Sequence, residues 1–214
     1  MRHLFLLAAL FCACISYAQI RVQERLPKSK TGFALTTAKA RAKIYYDAND
    51  ALVIKRSAEL FARDIQMVTG QKPELIQKRE RAKALVIVGT IEKNQWICEL
   101  AQKGKIDIRP LQGAWERYLI QTVDNPSPGV AKALVIAGSD RRGAAYGLFS
   151  ISEMMGVSPW YWWGDVPVKT HKALYVDAPP TYSKTPSVKY RGIFLNDEDW
   201  GLKPWAAKTF EKER

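Results

Sequence analysis

The sequence has 214 residues, of which 47% are hydrophobic and 25% charged, and its formal net charge is +12 at pH 7. That length suffices for one substantial domain and a fragment, and it is too short for two large domains. The basic residues are scattered, with no dense basic arm and no nucleic-acid-binding motif, so the charge indicates a solvated basic surface and no nucleic-acid partner is expected.

Residues 1–18 have the pattern of a secretory signal peptide. Arg2 and His3 precede an apolar run from Leu4 to Ile15, and the small residue Ala18 stands where a cleavage site is expected. The run is too short to span a bilayer, which needs about 20 residues. We therefore expect cleavage after Ala18 and an exported protein, periplasmic or extracellular, with no membrane span.

The cysteines place a limit on how the exported protein is stabilised. Removal of the leader takes away Cys12 and Cys14 and leaves Cys98 as the remaining thiol. No intramolecular disulfide and no cysteine-based zinc site is then expected, and the sequence predicts neither a metal nor a cofactor. Stability must come from a packed core.

The first predicted elements are a strand and a helix. The segment from Ala42 to Asp47 predicts a strand, and Asn49 or Asp50 is in place to cap a helix after it. One face of that helix is apolar, and Gly70 stands where its C-terminal cap belongs. The apolar positions are Ile54, Ala58, Phe61, Ile65 and Val68.

An internal repeat follows, KALVIVGT at residues 83–90 and KALVIAGS at residues 132–139. Both copies are continuously apolar and each precedes a helical pattern, which is typical of strands buried on both faces, so we expect adjacent or near-adjacent parallel strands in one sheet. Between them, residues 115–124 predict a more exposed strand that leads into a turn at residues 125–129. Residues 173–177 predict a further strand.

The second copy of the repeat runs into a glycine-containing segment that opens a helix. Ser139 or Asp140 can cap this helix, and Gly143 and Gly147 allow it to approach the sheet closely. The glycine spacing matches neither the dinucleotide-binding fingerprint nor the P-loop. Helix packing is therefore favoured over phosphate binding.

The first candidate site is the aromatic segment SPWYWWGDVP at residues 158–167. Four adjacent aromatic residues cannot all face one core, so some must meet a neighbouring domain or a ligand. Aromatic faces suit the apolar faces of sugar rings. The alternative is an aromatic plug that seals two domains together. The four residues are Trp160, Tyr161, Trp162 and Trp163.

The second candidate site is an acidic segment. A predicted strand, residues 193–195, runs into three consecutive carboxylates, and Pro204 can open a helix after them. This order is typical of a barrel unit whose catalytic face lies at the carboxyl end of the strand, and adjacent acids shift one another's pKa values. A solvated turn is the alternative, whereas the spacing and glycine of a calcium loop are missing. The segment comprises Asn196, Asp197, Glu198, Asp199 and Trp200.

The stretch from Gly138 to Glu211 resembles glycoside hydrolase family 115, the xylan α-glucuronidases. The motifs GSDRRGAAYGLFSISEMMGVSPWYWWGDVPV and VKYRGIFLNDEDWGLKPWAAKTFE carry the resemblance. It implies an α/β fold with a mostly parallel or mixed sheet over residues 19–180, followed at residues 187–214 by the first strand and helix of a truncated (β/α)8 barrel. It also implies removal of glucuronic or 4-O-methylglucuronic acid side groups from xylan, with inversion.

The resemblance assigns roles to both candidate sites. Residues 196–200 match the family's first-strand motif, which faces the sugar pocket, and residues 160–163 match its aromatic motif. Inverting hydrolysis needs two carboxyl groups about 6.5–9.5 Å apart, and Asp197 and Glu198 are the candidates for one of them. The other would lie on a later strand, so we expect the chain to be an N-terminal fragment that is inactive alone.

The resemblance also implies glucuronoxylan as the partner, and it is compatible with a homodimer of the full-length protein. Two other functions stay open from the sequence. One is a non-catalytic carbohydrate-binding α/β module that uses the aromatic cluster. The other is a fragment of a different barrel glycosidase, such as a β-hexosaminidase type, since those enzymes also place an α/β domain before the barrel.

Overall fold

The computed structural model describes residues 19–195 and 201–210, apart from the side chains of residues 162, 163, 209 and 210. Among the helices in these ranges, none is both long and apolar enough to cross a bilayer. In chain order the elements are β1 (Arg21–Gln23), β2 (Gly32–Thr36), β3 (Lys43–Tyr46), α1 (Leu52–Thr69), β4 (Leu75–Ile76), β5 (Ala82–Thr90), α2 (Gln95–Gln102), a 3-10 turn (Arg109–Leu111), β6 (Tyr118–Ser127), β7 (Val130–Gly138), α3 (Arg141–Met154), α4 (Trp160–Trp163), β8 (Leu174–Asp177), β9 (Thr181–Tyr182) and α5 (Leu202–Phe210).

The main sheet has six strands in the order β4-β3-β5-β7-β6-β9. The first four are parallel, whereas β6 is antiparallel to both β7 and β9. The expected α/β fold with a mixed sheet is confirmed. The two copies of the repeat, β5 and β7, are direct parallel neighbours, as predicted, because helices cover both faces of the sheet and continuous apolar runs can then be buried on either side.

Corresponding side chains of the two copies lie on opposite faces of the sheet. Val86 pairs with Leu134 in the sheet, although in the repeat Val86 corresponds to Val135. This one-residue offset exchanges the faces, since side chains alternate along a strand. Leu85 therefore packs into one core cluster and its counterpart Leu134 into the other. Both arrangements bury apolar side chains because the central positions of the motif are apolar on both faces.

The main sheet separates two hydrophobic cores. The larger core lies between one face of the sheet and α1, α3 and a small second sheet, and Phe61 and Leu148 are fully buried in it. The other core lies under α2 and the segment that follows it, with Trp96 fully buried against Tyr45 at 4.9 Å between ring centroids. The fold therefore has three layers. The main sheet lies in the middle, with α1, α3 and the small sheet on one face and α2 on the other.

The small sheet has the order β1-β8-β2, and both of its pairings are antiparallel. The strand predicted over residues 173–177 forms as β8, but it joins this sheet and not the one that contains the repeat. Alternate side chains of β2 and β8 are buried and reach the larger core, which explains the pairing. These side chains are Phe33, Leu35, Leu174 and Val176.

Helix α1 buries the predicted apolar face in full, and Gly70 ends it in the left-handed conformation at φ 72°, donating to the Gln66 carbonyl oxygen. The predicted N-terminal cap was wrong. The helix begins after Ala51, which has no capping side chain. The Asp50 carboxylate instead accepts hydrogen bonds from the Thr90 backbone N–H and hydroxyl, at 2.7 and 3.0 Å, and so ties the helix start to the end of β5.

Helix α3 follows the prediction at its start. Asp140 is the N-cap residue, and its carboxylate accepts from the backbone N–H groups of Arg142 and Gly143 at 2.9 and 2.8 Å. A Cβ atom on Gly143 would lie 2.1 Å from the Arg117 carbonyl oxygen, and one on Gly147 would lie 2.6 Å from Ile136 Cγ2. Both glycines therefore allow the close approach that was expected of them.

Three local predictions differ from the structure. Strand β6 begins at Tyr118 and continues to Ser127 through an irregularity after Asp124, so the turn is shorter than predicted and centres on residues 128–129. Residues 193–195 form no strand, because a strand needs a hydrogen-bonded neighbour and none pairs with them among the described residues. Helix α5 begins at Leu202, two residues before Pro204.

Candidate functional site

The acidic candidate segment lies outside the described residues, so the structure neither places nor separates its carboxylates. This applies to Asn196, Asp197, Glu198, Asp199 and Trp200. The residues that lead into it, 191–195, have no regular secondary structure, and Ile193 and Phe194 are 77% and 91% exposed. Adjacent large apolar side chains in solvent are typical of a surface that packs against other protein.

The aromatic candidate segment forms the short helical turn α4 at the end of the larger core. Trp160 is 64% exposed, whereas Tyr161 is half-buried and packs against the edge of the core. The Tyr161 hydroxyl accepts a hydrogen bond from Arg63 Nη2 at 2.6 Å, which joins the turn to α1. The side chains of Trp162 and Trp163 lie outside the described part of the structure.

A groove of about 620 Å³ runs between α1 and α3 and is closed at one end by residues 157–161. Its rim carries exposed apolar side chains, among them Leu60, Tyr146 and Phe149. Such a groove has the size of a small-molecule site, and its apolar rim also suits a neighbouring protein surface. Sequence patterns did not identify it, since it depends on how two helices pack.

A buried carboxylate lies at the floor of this groove. Asp64 is 5% exposed and accepts a hydrogen bond of 2.7 Å from the buried Ser152 hydroxyl on α3. Burial raises the pKa of Asp64, while the hydrogen bond from Ser152 and the charge of Arg63 act against this rise. The sequence held one signal for this site, because Asp64 follows Phe61 by three residues and so lies on the apolar face of α1.

A second polar cluster ties the chain before the acidic segment to the α/β fold. We call Glu116, Arg142 and Arg191 the clasp. The Glu116 carboxylate is buried, accepts from Arg142 Nη1 at 2.8 Å and is also bonded by Arg191 Nη2. These two hydrogen-bonded guanidinium groups, Arg191 foremost, lower the pKa of Glu116, so the carboxylate is ionised at neutral pH.

The clasp is built on a constrained loop at the carboxyl end of the parallel strands. Glu116 has φ 55°, which is uncommon for a residue other than glycine, and its backbone N–H donates to Asp140 Oδ2 at 2.7 Å. The Arg191 guanidinium lies over the Trp115 ring at 5.8 Å. Arg191 stands five residues before Asn196 in the sequence. The clasp therefore fixes the point from which the acidic segment departs.

The sequence did not indicate the clasp because Glu116 and Arg191 are 75 residues apart. Each residue taken alone resembles an ordinary surface charge. Within the described ranges, no group of three or more His, Cys, Asp or Glu side chains is placed to hold a metal ion. The functional groups that the described residues bring together are hydrogen-bonded carboxylates, cationic side chains and aromatic rings.

Comparison with known proteins identifies the class of this α/β fold. The profile of Glycosyl hydrolase family 115 matches residues 183–214, the stretch that contains the acidic segment. The structure of BtGH115A, described as a family GH115 4-O-methyl-α-glucuronidase with specificity for decorated arabinogalactans, is 34% identical with a TM-score of 0.66. That match covers 84% of this chain and 22% of BtGH115A.

Two further solved structures are similar at lower levels. CpGH84D is 12% identical with a TM-score of 0.44, over 75% of this chain and 22% of its own. The GH20 β-N-acetylhexosaminidase of Streptomyces coelicolor A3(2) is 13% identical with a TM-score of 0.39, over 79% of this chain and 25% of its own. At these values neither bears on fold or function. No curated protein matches the sequence.

The chain has the α/β fold of a glycoside hydrolase domain. It belongs to glycoside hydrolase family 115, and the resemblance seen in its sequence is confirmed. The chain spans 22% of the length of BtGH115A, so most of that enzyme lies outside the similarity.

Proposed function

We propose that this chain is the N-terminal part of an exported glycoside hydrolase that removes glucuronic or 4-O-methylglucuronic acid side groups from xylan with inversion. The profile match over residues 183–214 carries the proposal, because that stretch contains Asp197 and Glu198. The 34% identity to a 4-O-methyl-α-glucuronidase supports a uronic acid as the sugar removed.

The polymer that bears the uronic acid has a second candidate. BtGH115A is described as specific for decorated arabinogalactans, and it is similar to this chain over 84% of the chain's length. A glucuronic-acid-decorated arabinogalactan is therefore the alternative to glucuronoxylan. Both polymers present the same kind of side group, so the two proposals differ in the backbone that the enzyme accepts.

The proposed chemistry assigns one carboxyl group to the acidic segment. Residues 193–195 would become the first strand of a (β/α)8 barrel once neighbouring strands pair with them, and the carboxylates that follow would then face the sugar. One of Asp197 and Glu198 would act as acid or base. The second carboxyl group, and the cations that bind the uronate carboxylate, would come from later strands.

The clasp supports this role for the segment. Because Glu116 holds Arg191, the chain leaves the α/β fold at a fixed point and direction before the acidic residues begin. Catalytic groups must be held close to their productive positions, so an anchor five residues upstream restricts the first strand more than a free linker would. We assign Arg191 and Glu116 as positioning residues.

The aromatic segment would meet the substrate or the barrel. The exposure of Trp160 supports contact with a partner, and a flat indole face suits a sugar ring. A Trp160→Ala variant of the complete enzyme separates the two roles. A raised KM with unchanged stability indicates sugar contact, whereas a lowered Tm with unchanged KM indicates a seal between domains.

The decisive experiment uses an enzyme extended through the complete barrel. We expect Asp197→Asn or Glu198→Gln to reduce uronic acid release from glucuronoxylan by about a hundredfold or more, as loss of a general acid or base does. Lys208→Ala on α5 is the control and should keep full activity. NMR of the first product should show the anomer opposite to that of the substrate.

The same assay tests the chain as it stands. Residues 19–214 should release no uronic acid from glucuronoxylan or decorated arabinogalactan, because one strand end cannot hold two carboxyl groups across a substrate. Full activity in both acidic variants would remove the acidic segment from the mechanism. Activity of residues 19–214 alone would place the catalytic site in the α/β fold.

A further inference from the structure

Two neighbouring grooves at the amino-terminal edge of the main sheet are rich in cations. The larger, of about 750 Å³, lies beside the start of β5 and the turn at residues 128–129, and the smaller, of about 520 Å³, lies beside β2. Residues 81–83 line both. Among the described residues that line the two grooves, none is Asp or Glu. The lining cations are Arg41, Lys43, Arg81, Lys83, Lys103, Lys105 and Lys132.

The cations of the smaller groove are partly neutralised. Lys43 pairs with Glu74 at 2.8 Å and also with Glu80, and Lys132 pairs with Asp124 at 3.2 Å. In the larger groove, the Lys105 ammonium group donates to the Asn125 carbonyl oxygen, which does not neutralise its charge.

In the larger groove, Arg81 and Lys83 have no carboxylate partner among the described residues, and Lys103 only adds its charge to the effect by which Arg79 lowers the pKa of Glu99. Arg81, Lys83 and Lys103 form no ion pair with any residue in the described ranges. Together with Lys105 they give this concave surface an excess of positive charge. A cleft lined by one sign of charge concentrates ligands of the opposite sign.

The other lining residues restrict the class of anion. The larger groove has no aromatic side chain among its lining residues. Neutral sugars and nucleic-acid bases are commonly held by stacking on aromatic rings, and this groove offers no such surface. What it offers is a cluster of four positive charges, which suits the carboxylates of an acidic polymer.

We propose that the larger groove binds an acidic polysaccharide through its uronate carboxylates. The ligand class rests on the proposed function, which supplies a uronate-bearing polymer as the substrate. The groove lies at the end of the sheet where Ala82 pairs with Val130, whereas the clasp lies beyond the opposite end, where Thr90 pairs with Gly138. The groove is thus a holding site for the polymer at the end of the sheet opposite the clasp.

The test measures binding by residues 19–214 to polygalacturonate, a polymer of uronic acid, by isothermal titration calorimetry. Binding is expected at about 20 mM salt and should weaken strongly by about 150 mM, because the Debye length falls to about 8 Å. Lys83→Gln/Lys103→Gln should bind about tenfold more weakly, the low end of what a charged cleft contributes. Lys169→Gln/Lys172→Gln, which loses the same charge elsewhere, should bind as the parent does.

Four results would overturn the proposal. These are no binding at low salt, equal losses in the two double variants, equal binding of carboxyl-reduced polygalacturonate, or binding of duplex DNA as tight as that of polygalacturonate. Circular dichroism confirms that both variants are folded. Uronic acid release by the complete enzyme is measured separately, so a groove that fails to bind leaves the proposed activity standing, and an inactive enzyme leaves the binding result standing.

Discussion

The close approach of α3 to the loop before β6 leads to a specific prediction for Gly143→Ala. The added Cβ would lie 2.1 Å from the Arg117 carbonyl oxygen, and both atoms are fixed by backbone. An ordinary contact needs roughly 1 Å or more of additional separation. The helix start or the loop that carries Glu116 must therefore move.

The expected magnitude follows from two opposing effects. Alanine is favoured over glycine within a helix by about 1 kcal/mol. Overpacking costs about 1–3 kcal/mol, and the upper end applies here because no flexible side chain can move aside. The net loss in the free energy of unfolding is then about 2 kcal/mol. For a domain of this size, that loss lowers Tm by about 4–8 °C.

The assay is urea and thermal unfolding of residues 19–214 followed by circular dichroism, with two matched variants. Gly147→Ala should destabilise somewhat less, since its new Cβ would meet a side-chain atom, Ile136 Cγ2, at 2.6 Å, whereas that of Gly143→Ala would meet backbone at 2.1 Å. Gly192→Ala should be neutral, because nothing lies within 4 Å of its new Cβ. If Gly143→Ala is as stable as Gly192→Ala, the reasoning from backbone contact fails.

Three further outcomes are expected. Burial raises the pKa of Asp64, so the parent should lose stability as pH rises above about 4. Asp64→Asn keeps an acceptor for Ser152, and urea unfolding should show that its free energy of unfolding depends less on pH. An unchanged pH dependence would contradict the assignment. Glu116→Gln should free Arg191 and speed amide hydrogen exchange over residues 188–195, while exchange in β5 stays constant; equal protection in both proteins would show that the clasp does not hold the segment. Mass analysis of the exported protein should find Gln19 as its first residue, and any other start would refute cleavage after Ala18.

The sequence predicted the elements whose signals are local. Continuous apolar runs indicated parallel strands, helical spacing indicated the buried face of α1, and Gly70 and Asp140 marked helix ends. Each of these depends on neighbours a few residues away, so the pattern and its cause lie in the same segment.

The predictions from sequence failed where a residue with a clear local pattern makes its contacts with residues far away in the chain. Asp50 has the position of a helix cap, but Thr90, 40 residues away, takes its carboxylate. Pro126 suggested a turn, yet β6 continues past it through an irregularity, where a proline is tolerated. The clasp and the Asp64 groove were missed for the same reason, since each brings together side chains from elements far apart in the chain.

The strand predicted just before the acidic segment failed for a different reason. Its pattern of an apolar run followed by carboxylates indicated a strand, and the structure has none at residues 193–195. A helix satisfies its own backbone hydrogen bonds, as α5 does, whereas a strand depends on partners. The predicted strand at residues 193–195 therefore needs a neighbouring strand to pair with before it can form.

The opposed faces of the two repeat copies also bear on how fast the chain folds. Because the central positions of β5 and β7, Leu85–Val88 and Ala133–Ala137, are all apolar, a pair slipped by one residue would bury nearly as much apolar surface as the native pair. The correct alignment must then be selected at the strand ends, where Ala82 N–H donates to the Gly129 carbonyl oxygen at 3.0 Å and Ile91 N–H to that of Gly138 at 3.0 Å. Changes at these ends should act on refolding kinetics, by populating off-register traps, more than on the equilibrium strength of the core.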